Sequence, residues 1–201
     1  MSLSFCSSSS ELLAQLLTEG KNFIGEVALG NNFSLRHRED SNVDESKLKL
    51  YQYPEAAREI ARYDEKGNYR PLKTAPDLRR SWLLQLRNVE EMALALDFFY
   101  PAALSLYGAW LQKKLEITSL RETLDRQTGM YRVTQKLSDN QSQLLINKTC
   151  HEGCLRKILW PVTADQETTT FFQDEQTIPL LCREACNLLV AEARKIVKQE
   201  K

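Results

Sequence analysis

Apolar positions along the chain switch repeatedly between a spacing of three to four and a spacing of two, which predicts interleaved helices and strands. "ELLAQLL" (residues 11–17) puts its leucines on one helical face and is stopped by Gly20. "FIGEVAL" (23–29) and "FSLRHRE" (33–39) read as strands joined by "GNN", where Gly30 and Asn31 tolerate the positive φ of a tight hairpin. "LKLYQY" predicts a third strand up to Pro54, and "PEAAREIARY" an amphipathic helix with proline in its first turn. "DEKGN" breaks that helix, and two prolines keep "YRPLKTAPDLRR" extended. "SWLLQL" then reads as a strand and "NVEEMALALDFFY" as a helix capped by Asn88. Pro101 ends or kinks it ahead of a second apolar helix, "PAALSLYGAWLQKKL".

Two capping boxes follow, Ser119 with Glu122 and Ser138 with Gln141. The first opens a short helix closed near Gly129; the second opens a helix ending near Lys148 that delivers the chain to Cys150. Beyond the polar stretch "VTADQETTT", a last helix is expected from about Leu181 to Val197. This order of elements predicts an α+β fold: antiparallel strands with packed helices and a C-terminal four-cysteine module. The expected division is an α+β domain over residues 1–117 and a four-cysteine domain over 118–201.

Composition narrows the classes. With 42% hydrophobic and 27% charged residues, the 201-residue chain has enough apolar surface to fold. Its 27 basic and 27 acidic residues cancel, so no whole-molecule charge draws it to nucleic acid or an anionic membrane. No run approaches the roughly 20 apolar residues of a membrane span, and the N-terminus lacks a secretory pattern. The expectation is a cytoplasmic protein that binds neither nucleic acid nor membrane, in which disulfides are disfavoured and cysteines point to metal or redox chemistry.

Four of the five cysteines form two pairs with three residues between partners, Cys150 with Cys154 and Cys182 with Cys186. A lone cysteine is commonly core filling. Two matched pairs favour a four-thiolate metal centre instead. If the last helix begins near Pro179, Cys182 and Cys186 stand at i and i+4 in its first turns, where the helix dipole favours thiolate. Gly153 lets the backbone bring Cys150 and Cys154 toward one centre. Zinc and an iron–sulfur cluster both suit four cysteines. The wider spacing and apolar neighbours (Leu155, Ile158, Leu159, Trp160, Leu188) give a modest preference for a cluster. Cys6 reads as unrelated, and His151 as an exposed loop residue.

"YRPLKTAPDLRRSW", "LDFFYPAAL", "LRETLDRQTGMYRVTQKLSD", the first cysteine pair with "LRKILWP", and "PLLCREACNLLVAEAR" together resemble the 4Fe–4S-binding region that follows CbiX-type sirohydrochlorin chelatase domains in some bacterial proteins. The resemblance covers roughly residues 20–201. It implies a [4Fe–4S] cluster held by Cys150, Cys154, Cys182 and Cys186, a preceding stabilising or docking domain, and a place in tetrapyrrole or cobalamin-related metabolism. Electron transfer or an accessory role follows, with a sirohydrochlorin chelatase-type protein or a redox protein as partner. The chelatase domain itself is not in these residues, so chelatase activity is not carried over, and the chain reads as more a carrier than an enzyme. The alternative is a zinc-holding interaction module without redox activity.

Two sets of cations complete the candidates. Arg70, Lys73, Arg79 and Arg80 form a local basic run that suits the carboxylates of a tetrapyrrole or an acidic partner, or else pairs with neighbouring glutamates. Arg121, Arg126 and Arg132 either offset the charge of the thiolates or lie on helix surfaces. Tyr131, Trp160 and the aromatics Phe98, Phe99, Tyr100, Tyr107 and Trp110 read as core.

Overall fold

The computed structural model describes residues 8–166 and 174–199. Cys6 and the middle of the polar stretch after Trp160 lie outside the described residues. Those described divide into two compact units: 8–113 with 174–180, and 114–166 with 181–199. The chain thus enters the second unit, returns to the first between the two cysteine pairs, and goes back.

In the first unit, α1 (Ser9–Thr18) starts at a capping box between Ser8 and Glu11. The sheet has the order β4-β5-β3-β2-β1-β7. Its strands are β1 (Phe23–Ile24), β2 (Val27–Gly30), β3 (Ser34–His37), β4 (Lys49–Tyr51), β5 (Trp82–Gln85) and β7 (Thr177–Ile178). The centre is antiparallel, as expected of an α+β fold, while β4 on β5 and β7 on β1 pair parallel. The stretch read as one strand over 23–29 is itself a tight hairpin, with Ile24 opposite Val27. Gly25 makes that reversal at φ +55°, and a Cβ there would come within 2.6 Å of the Tyr100 ring.

Helices α2 (Ala56–Ile60), α3 (Val89–Phe99) and α4 (Ala103–Leu111) complete the unit. Asn88 caps α3 by accepting from the Glu91 N–H at 2.9 Å. Between α3 and α4 the chain breaks at Pro101 and Ala102, the latter at φ 62°, and the helix axes bend by 103°. No single described helix is long and apolar enough to cross a membrane. Trp82 stacks on Phe99 with ring centroids 5.0 Å apart, and Leu13, Leu16, Ile24, Leu35, Leu84 and Leu96 are buried with them. The Tyr100 hydroxyl accepts from the Glu26 N–H at 2.9 Å, fastening the end of α3 to the first hairpin. We expect Gly25→Ala to cost roughly 2–4 kcal/mol, because left-handed backbone strain adds to the displacement of a buried ring. Denaturant unfolding followed by tryptophan fluorescence would read it; an unchanged midpoint would contradict the account.

Both capping boxes of the second unit form as the sequence predicts, opening α5 (Leu120–Asp125) and α6 (Asp139–Ile146). A 3-10 stretch, Gly129–Lys136, lies between them. The unit is completed by a two-stranded parallel sheet of β6 (Lys157–Ile158) and β8 (Leu181–Cys182), and by α7 (Asn187–Gln199). Its core contains Leu120, Leu124, Leu145, Ile146, Ile158, Trp160, Leu189, Val190 and Ala193.

Candidate metal centre

Helix α6 runs into a π-helical segment, Asn147–Glu152, that carries Cys150. Such wide turns recur at functional sites, where they re-aim a side chain without ending the helix. Gly153 closes the segment at ordinary negative φ, so its freedom is not what the turn needs. The requirement is close approach: a Cβ at Gly153 would stand 2.9 Å from the Thr149 carbonyl oxygen.

The second pair departs from expectation. Leu181 and Cys182 are not in a helix but in β8, with Cys182 opposite Ile158 of β6. Pro179 has no N–H to donate and biases its predecessor toward extended backbone. Leu180 and Leu181 are then almost fully buried, at 2% and 1% exposure. Helix α7 begins only at Asn187, immediately after Cys186. The Cys186 carbonyl accepts the Val190 N–H at 3.1 Å, so the dipole argument applies to Cys186 and not to Cys182. Between them the loop is pinned: the Arg183 carbonyl accepts from the Thr118 N–H at 2.9 Å, and Glu184 pairs with Arg126 at 3.2 Å.

Both pairs therefore sit in the second unit, and Cys150 and Cys182 pack on its core. None of the four is in a disulfide. Burial pushes the Cys150 thiol well above its ordinary pKa, and the charges of Cys186, Cys182 and Cys154 push it further. Burial also raises Cys182, while the Trp160 indole and the Arg156 guanidinium oppose that rise. The Cys182 thiol donates to the Glu184 carbonyl at 3.1 Å. Loading such thiols with metal must expel protons and replace that contact. Among the described residues no three His, Cys, Asp or Glu side chains are already drawn into a metal-holding set. The four thiols share one unit and do not form a closed cage. Their fit to a metal centre rests on donor chemistry and common location.

The other sequence candidates are placed elsewhere. His151 is exposed. Arg70, expected in a solvated basic run, is 2% exposed inside the first unit. It pairs with Asp77 and donates to the carbonyls of Ala61, Lys73 and Ala75, the last at 2.7 Å. Lys73 donates to the Ala61 carbonyl at 2.8 Å. Arg79 pairs with Glu59, and Arg80 with Glu39 and Glu65. The four cations do not form one open patch, because neighbouring acids and carbonyls take them up. Arg121 is likewise engaged by Asp139 and the Leu137 carbonyl, and Arg126 by Glu184. Arg132 is exposed. The cation that bears on a cysteine is instead Arg156, which no local pattern marked.

Comparison with known proteins agrees with this division. Residues 112–195 match the family model of a 4Fe–4S iron–sulfur cluster binding domain, and residues 11–110 that of the DR2241 stabilising domain. A solved structure, DR2241 from Deinococcus radiodurans, is 29% identical with a TM-score of 0.80 over 95% of this chain. It is described as a multi-domain protein with structural similarity to chelatases and two additional novel domains. This chain spans 41% of its length. No curated protein matches. The chain accordingly joins a stabilising domain of the DR2241 type to a 4Fe–4S cluster-binding domain.

Proposed function

We propose that the chain holds one [4Fe–4S] cluster through Cys150, Cys154, Cys182 and Cys186, and serves as an electron carrier or accessory module in tetrapyrrole-related metabolism. The observation that supports the ligand set is the location of both cysteine pairs in the unit matched to a cluster-binding domain, with Cys150 and Cys182 packed on its core. A bound cluster supplies reversible one-electron chemistry. The chain's own residues do the rest. The π-helical segment and Gly153 present Cys150 and Cys154. The pinned loop of residues 183–186 presents the other pair, and the apolar core screens Cys150 and Cys182 from water. Cys186 is exposed, which favours electron exchange at that corner of the site. The first unit then acts as the stabilising and docking part. A chelatase-type protein is the partner that the likeness to DR2241 supports.

Anaerobic purification with iron and sulfide analysis tests the reading. The expected result is four irons and four sulfides per chain, with broad brown absorbance that bleaches on reduction. A colourless protein carrying zinc and no sulfide would overturn it in favour of a structural zinc module.

A further inference from the structure

Trp160 is 3% exposed in the core of the second unit, yet its indole Nε1 has no hydrogen-bond partner. A buried donor left unpaired costs about 1–3 kcal/mol, so a nearby acceptor that becomes stronger would be favoured. The backbone on either side is fixed. Ile158 is registered opposite Cys182 in the β6–β8 pair, and the carbonyls of Pro161 and Val162 accept from the N-terminal N–H groups of α5 at 2.9 and 3.0 Å. The indole is therefore held two residues beyond the position facing Cys182. It lies in the same core that the Cys182 side chain packs against, but no hydrogen bond with proper distance and angle forms to the thiol. The thiol's own proton is committed elsewhere, to the Glu184 carbonyl.

We propose that the Trp160 N–H is a donor built for the Cys182 thiolate of the loaded site, and that it raises the reduction potential of the cluster. The inference rests on Cys182 being a cluster ligand. When Cys182 loses its proton and binds iron, its sulfur becomes a stronger acceptor, and the indole supplies a hydrogen bond in a nearly dry environment. On reduction the cluster takes one electron from an external donor and gains one negative charge, with no bond made or broken. A hydrogen bond to a ligand sulfur stabilises that more negative state more than the oxidised one, so the potential rises. Trp160 is a positioning and tuning residue. It is not a ligand.

Trp160→Phe keeps an aromatic ring in the core and removes the donor, at the cost of some packing volume. Anaerobically loaded wild type and variant would be compared by iron and sulfide content and by potentiometric titration of the cluster. The expected result is equal cluster content, with reduction about tenfold less favourable in the variant, or about 59 mV lower for one electron. Equal potentials at equal loading would overturn the inference while leaving the four-cysteine reading intact. Should the variant fail to load, wild type containing ¹⁵N-tryptophan decides. A hyperfine coupling between the reduced cluster and an indole nitrogen supports the donor role, and its absence ends it. A wild-type chain that holds no iron and sulfide would overturn both the ligand reading and this proposal.

Discussion

Cys182→Ser should leave the chain nearly free of iron and sulfide, whereas Cys6→Ser should leave both at wild-type levels. Removing a residue that only supports a metal ligand costs about 10–100-fold in affinity, so loss of a ligand itself must cost more. Cys182 is the most informative of the four because its place is the most constrained. It lies in β8 beside Ile158, packs on the core, and stands near both Trp160 and Arg156. A serine there adds a hydroxyl to an apolar setting and supplies a poor ligand for iron. The same change should loosen the second unit selectively, since binding at the folded site stabilises it by about 2.7 kcal/mol for every hundredfold excess over the dissociation constant. Elemental analysis and limited proteolysis of residues 114–199 would measure the two effects. Full iron content in Cys182→Ser and in Cys182→Ala would remove Cys182 from the ligand set.

What could be read from the sequence, and what could not, follows from the range of the interactions involved. The boxes at Ser119 and Ser138 and the cap at Asn88 form as expected, because each is closed by partners three residues away. The helix that local spacing predicts from Leu181 instead begins at Asn187. Its i, i+4 pattern is real, but Leu181 and Cys182 find a strand partner at Lys157 and Ile158, more than twenty residues earlier. No local spacing announces a two-residue parallel pair. The cysteine pairs were visible as pairs, since matched spacing is a property of the chain. The role proposed for Trp160 is not, because a tryptophan in an apolar run reads as packing until its N–H is seen without a partner. Arg70 was misplaced for the opposite reason. Charge is read as exposure by default, and only the fold reveals the carbonyls and carboxylates gathered around it.

That burial makes Arg70→Ala a strongly damaging substitution in the first unit, with an expected cost of about 3 kcal/mol or more. The guanidinium joins segments that no regular element connects: the end of α2 through the Ala61 carbonyl, the extended stretch through Lys73 and Ala75, and Asp77 beyond it. Removing it leaves the carbonyls of Ala75 and Lys73 without that donor and opens a cavity where a long side chain lay. Its carboxylate neighbours also lose a compensating charge: Asp77, and Glu26 at 4.0 Å. Arg70→Lys should recover only part of the loss, since one ammonium cannot reproduce a planar fork that reaches several acceptors at once. Thermal unfolding should show a midpoint lower by roughly 10 °C for alanine and by less for lysine. Iron and sulfide content per folded chain should not change, since the four cysteines belong to the other unit. If Arg70 instead served an external anion, both variants would keep the wild-type midpoint and lose only binding. That outcome would return Arg70 to the surface role that its charge first suggests.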